Sequence, residues 1–161
     1  MLLNHCSSLG TPSSPIFKYE HHFMNATNES FAAVISSILP TISQLGFAPI
    51  RITAYAAEFS NRDQLLCMEA VPHQPEINMC IRFSNGAAFE LCLLSRLLAP
   101  DWYEAYRSRS AAHQSMLQSA VEMLDFVHEN GETIFRRIHT IELPYQALAE
   151  ELAATNQIWH R

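Results

Sequence analysis

The chain has 161 residues, 48% of them hydrophobic and 10% aromatic, which suits one folded domain with a single core and excludes a disordered, core-less polypeptide. Its formal net charge of −6 lacks the basic excess that phosphate backbones select, so nucleic acid is not an expected partner and a cationic protein is. No apolar run approaches membrane-spanning length and no positive segment followed by an apolar one marks a secretory signal, so a cytoplasmic protein with no membrane contact is expected.

Residues 1–15 carry Ser7, Ser8, Gly10, Thr11, Pro12, Ser13, Ser14 and Pro15, a composition that buries little surface. The reading is a leader over residues 1–23, loosely ordered or peripheral, with Met24 as an alternative start. Ile16, Phe17, Tyr19 and Phe23 leave open a peripheral strand or packing on a groove. Residues 24–161 then form a single α+β domain.

A helix is predicted from Asn28 to Leu45, with Asn25, Thr27 and Asn28 as its cap region. Phe31, Val34, Ile35, Ile38, Leu39, Ile42 and Leu45 recur at helical spacing and Gly46 can take a left-handed cap. Pro40 removes an amide donor inside this helix and is expected to bend or split it. Beyond Gly46 the period falls to two. Strands are predicted over residues 49–59, where Ile50, Ile52 and Ala54 alternate with Arg51, Thr53 and Tyr55, over 64–71, and over 77–83. Turn residues 60–63 and 72–76 separate them, and Asn85-Gly86 ends the sheet.

Residues 88–98 are apolar on almost every side and read as a buried helix that Pro100 stops. A long helix over residues 110–129 turns Leu117, Val121, Leu124 and Val127 inward and Glu122, Asp125 and Glu129 outward, before Asn130-Gly131. Residues 134–141 fit strand or helix. A final amphipathic helix spans 143–159, with Pro144 in its first turn and Leu148, Leu152 and Trp159 packing down. The order defines an α+β fold: an N-terminal helix, a three-stranded antiparallel meander, and a mainly helical C-terminal half packed on the sheet.

Chemistry is sparse. Cys6, Cys67, Cys80 and Cys92 form no CxxC pair and read as reduced, mostly buried thiols. Glu20, His21 and His22 are adjacent, and adjacent side chains diverge. His113, His128 and Glu132 lack the i, i+4 histidine spacing of a zinc-protease helix, and Asp125 with His128 fits a surface pair. No nucleophile has an elbow motif or a base. The expectation is a protein with no catalytic residues, no metal and no cofactor.

Asp101-Trp102-Tyr103-Glu104-Ala105-Tyr106 sets three aromatics among two acids in what reads as a connection after the buried helix. Such residues anchor and steer protein interfaces, and Trp102 with Tyr106, at i and i+4, can equally pack between helices. The candidate partner-binding set is Asp101, Trp102, Glu104, Tyr106, Glu122, Asp125 and Glu129.

Over residues 28–137 the order of features resembles small bacterial immunity-type proteins that neutralise toxins. The carriers are the helix ending Leu45-Gly46-Phe47, strands with Phe59, Leu65-Leu66 and residues 77–83, the Phe89-Glu90-Leu91 helix start with Leu94 and Leu97-Leu98, and Leu124 through Ile134-Phe135. The resemblance implies tight, stoichiometric, non-enzymatic binding of a toxin. A type III secretion chaperone is similar in size, charge and opening, but returns to strands after its middle helix. A small enzyme or ligand-binding domain would need a polar pocket that the sequence does not display.

Overall fold

The computed structural model describes residues 30–71, 76–111 and 115–159. The segment read as a leader, the cap region Asn25, Thr27 and Asn28, and the Glu20-His21-His22 cluster lie outside the described residues. The first helix, α1 (Phe31–Gln44), is capped by Ser30, whose hydroxyl accepts from the amide of Ala33 at 3.2 Å. Its stripe of Phe31, Val34, Ile35, Ile38 and Ile42 is buried. Pro40 does not split it. The ring sits on the solvent side, where losing one helical hydrogen bond exposes a carbonyl to water rather than to the core. At the C-terminus the Gly46 amide donates to Ser43 at 3.0 Å and the Phe47 amide to Ile42 at 3.2 Å. This closure needs the positive φ of Gly46, 86°, and a Cβ there would also crowd Asn61 at 3.1 Å.

The sheet has five antiparallel strands in sequential order: β1 (Ala48–Ile52), β2 (Ala56–Asn61), β3 (Gln64–Ala70), β4 (Ile77–Phe83) and β5 (Ala88–Glu90). Three strands were expected, and two local causes add the others. The stretch read as one strand over 49–59 folds back at Thr53, whose hydroxyl accepts from the amides of Tyr55 and Ala56 and donates to the carbonyl of Ala56. That turn competes with strand continuation. The Asn85-Gly86 pair, read as the end of the sheet, is a hairpin turn. The Asn85 side chain accepts from the Ala87 amide and Gly86 takes φ 88°, so Ala88–Glu90 pairs with β4 before the next helix starts.

That helix is α2 (Leu91–Leu98), and it stops before Pro100 as expected. Pro100 opens a further helix, α3 (Pro100–Ala111), because proline lacks only an amide that the first turn leaves unbonded. The segment read as a connection over residues 101–106 is therefore helical. The long helix begins later than expected, as α4 (Met116–Glu129), capped by Ser115 on Gln118. The ambiguous stretch is α5 (Gly131–Arg136) and a 3-10 turn (Ile138–Thr140), and α6 (Glu142–Trp159) closes the chain.

The register fixes two rows that run across the sheet. Phe59, Leu66, Ile81 and Phe89 stand opposite one another on β2 to β5 and are all buried, with Ala57, Met68 and Met79 beside them. This inner face joins the α1 stripe, Leu91, Leu94, Leu124, Phe126 and Ile134 in one core. Ile38 and Ile81 share it, as the periodicities predict. The next residue along each strand points to the other face, giving the outer row Glu58, Cys67, Cys80 and Glu90. The edge strand β1 lies wholly outside the core. A register shift between Pro49 and Arg51 turns Ile50 out to 59% exposure, so its alternation does not mark a buried face.

Candidate functional site

Two places bring chemically capable side chains together. The first is the pair α3 and α4, which carries the residues that the sequence singled out. Trp102 stacks on Tyr106 with ring centroids 5.2 Å apart and packs on Phe126 of α4 at 5.1 Å. Tyr106 is buried, and its hydroxyl shares a 2.7 Å hydrogen bond with that of Ser119. Burial pushes the Tyr106 phenol above its ordinary range, against the opposing pull of the Ser119 bond. Trp102 and Tyr106 thus realise the i, i+4 packing between helices, and Tyr106 is no surface anchor. Large rings next to an uncovered helix are more useful as the wedge that holds α3 on α4.

The acids divide in the same way. Glu122 is held by Arg109, whose Nε and Nη2 reach its carboxylate at 3.1 and 2.9 Å, and by Gln118 at 3.2 Å. It ties α4 to α3. Asp101, Glu104, Asp125 and Glu129 are exposed and join no ion pair among the described residues. The contact of Trp102 with Phe126 brings the first turn of α3, which carries Asp101 and Glu104, next to the C-terminal half of α4, which carries Asp125 and Glu129.

The second place is a pocket of about 80 Å³ at one end of the sheet, which the sequence reading did not find. Its wall includes Cys67, Cys80 and Cys92, the acids Glu69, Glu76 and Glu90, and Tyr106 and Arg107 of α3. Glu76 accepts from the Ser110 hydroxyl and lies 3.9 Å from Arg107, so α3 is fastened to the start of β4. Cys67 and Cys80 face each other across β3 and β4, close enough for their thiols to share a hydrogen bond. That bond lowers the Cys67 thiol and raises the Cys80 thiol; burial raises both, and Glu58 and Glu69 also oppose ionisation of Cys67. Burial raises Cys92 as well.

The signal for this pair was present but needed the register. Cys67 follows Leu66 and Cys80 precedes Ile81, so placing the two inner residues opposite each other places the two thiols opposite each other on the far face. Tyr145, also missed as a core residue, sits one turn before Leu148. Its ring meets Phe89 at 4.8 Å and its hydroxyl accepts from the Glu90 amide at 2.8 Å.

Among the described residues no group of three or more His, Cys, Asp or Glu side chains is arranged to hold a metal ion, and no helix is long and apolar enough to cross a membrane. Glu132, weighed above with the histidines, pairs with Arg136 and Arg137 at 3.3 and 3.7 Å. His113 lies outside the described residues. No family model, no curated protein and no solved structure matches this chain.

Proposed function

We propose that this protein is a non-enzymatic binding module that captures a cationic protein partner, in the manner of an immunity protein holding a bacterial toxin. The observation that supports this reading is a set of exposed acids on α3 and α4 that stand outside any ion pair among the described residues. Arg51, Arg107, Arg109, Arg136 and Arg137 are engaged by Glu58, Glu76, Glu122 and Glu132. Asp101, Glu104, Asp125 and Glu129 stay exposed and outside any ion pair among the described residues, on two neighbouring helices. Exposed acids with no cation bound to them speed encounter with an oppositely charged surface and disfavour like-charged ones. Trp102 and Tyr106 support the patch from beneath by holding α3 on α4, which is a narrower role than direct contact. The chaperone alternative is less well supported, because α2 is followed by α3 to α6 with no return to strands among the described residues.

The test is to co-express the product of the adjacent gene and measure complex formation and growth. A stoichiometric complex that restores growth is expected. Changing Asp101, Glu104, Asp125 and Glu129 together to Lys is expected to slow association by about tenfold or more at low salt and to flatten its salt dependence. Absence of both complex and protection removes the immunity reading. A complex with unchanged association kinetics in the reversed variant removes the assignment of this surface.

A further inference from the structure

We propose that Cys67 and Cys80 are a peroxide-reactive dithiol that closes to a reversible disulfide across β3 and β4, with the pocket beside them as the entry for the oxidant. Three observations carry it. Directly opposed residues of antiparallel strands have Cα atoms about 4.5–5.5 Å apart, inside the span of about 4.4–6.8 Å that a disulfide bridges, so the Cys67–Cys80 register demands no backbone movement. Neither residue is in a disulfide, and the two thiols are in hydrogen-bond contact. And both line the pocket, whose volume of about 80 Å³ is several times the roughly 10–15 Å³ that one water requires.

Their position separates them from ordinary packing cysteines. A cysteine that only fills space would stand on the inner face, among Phe59, Leu66, Ile81 and Phe89. These two stand on the other face, in a row that ends in Glu58 and Glu90. The acids also select the oxidant. Glu69, Glu76 and Glu90 line the same pocket, with Arg107 set against Glu76, so an anionic disulfide such as oxidised glutathione is repelled while neutral hydrogen peroxide is not.

Cys67, opposite Cys80 and lowered by the contact between the two thiols, is the attacking sulfur of the pair. Its thiolate takes one oxygen of hydrogen peroxide, the O–O bond breaks, and the departing hydroxide gains a proton to leave as water. The product is the Cys67 sulfenic acid. The Cys80 sulfur then attacks Cys67 Sγ, the S–O bond breaks, and hydroxide leaves with the Cys80 proton as a second water. Two thiols and one peroxide become one disulfide and two waters.

The experiment exposes the full chain to hydrogen peroxide, removes the oxidant with catalase, blocks remaining thiols with iodoacetamide in urea at mildly alkaline pH, and maps the peptides by mass spectrometry. The expected product joins the Cys67 and Cys80 peptides, disappears on treatment with dithiothreitol, and leaves Cys92 alkylated. Cys80→Ser is expected to stop at a Cys67 sulfenic acid that dimedone captures, and Cys67→Ser to slow peroxide reaction in the pocket by about tenfold or more. Oxidised glutathione at equal concentration is expected to form the bridge at least about tenfold more slowly. The proposal is overturned if Cys67 and Cys80 stay separately alkylated after peroxide, if either joins Cys92 instead, or if dimedone labels Cys92 first. Equal rates with the two oxidants overturn the selection by the pocket. Should a serine variant fail to fold, the peptide map of the unaltered chain decides the matter.

Discussion

The two faces of the sheet are built from alternate residues of the same strands and do different work. On the inner face Phe59, Leu66, Ile81 and Phe89 are buried in one core with the α1 stripe, Leu91, Leu94 and Leu124. On the outer face Glu58, Cys67, Cys80 and Glu90 form a polar or reactive row, of which Cys67, Cys80 and Glu90 line a pocket. Period-two alternation is usually read as core against solvent. Here β3 buries Leu66, Cys67 and Met68 in succession, so burial alone does not separate the faces and the row partners do.

The comparison can be broken most directly from the inner side. Ile81→Ala, or Ile38→Ala on the helix that covers it, is expected to cost about 2–5 kcal/mol in urea unfolding, because each leaves a cavity in a core that cannot collapse. A loss below about 0.5 kcal/mol would mean that the inner face is misassigned.

Trp102→Ala comes next, at about 2–3 kcal/mol, since the ring is only partly buried and joins Tyr106 to Phe126. Loss of partner binding without loss of stability would restore Trp102 as a contact residue. Thermal unfolding and binding measured on the same sample distinguish the two.

Tyr145→Phe is smaller, about 1–2 kcal/mol, because it leaves the Glu90 amide without its acceptor while keeping the ring on Phe89. It also carries a pH signature. Burial pushes the Tyr145 phenol up to about 12, above its ordinary value of 10. Between those values the unfolded chain gives up a proton that the folded chain keeps, so stability falls as pH rises. The contribution is fully present below pH 10 and lost as pH passes through about 12. Alkaline denaturation should therefore be shallower in Tyr145→Phe than in the parent. At the small end, Glu58→Gln on the outer row is expected to change stability by less than about 0.5 kcal/mol, since its bond to Arg51 is long, at 3.3 Å, and only partly buried.

How far these features can be read from sequence depends on the range of the interaction. The α1 stripe and its Gly46 cap are local, and both emerge from spacing alone. The break at Thr53 is local too, but a threonine inside an alternating run carries no mark that its hydroxyl will bond the backbone instead of facing out. The alternation of Ile50 and Ile52 with Arg51 and Thr53 does not show that β1 is an edge strand with a register shift, which leaves both isoleucines exposed. In the acidic set, charge located Asp101, Glu104, Asp125 and Glu129 on the surface, whereas the engagement of Glu122 by Arg109 depends on how α3 meets α4. The thiol pair needed the register of two strands separated by a loop, which composition does not specify.

Access to the outer-row thiols through the pocket is tested most directly by the native-state alkylation rates of Cys67, Cys80 and Cys92, compared between the parent chain and Ile81→Ala. If the pocket opens the outer face, the thiols react through it, and the rates stay the same when global stability drops by about 2–5 kcal/mol. If the rates instead rise in step with the lost stability, the thiols react only by way of unfolding, and the outer face is as closed as the inner one.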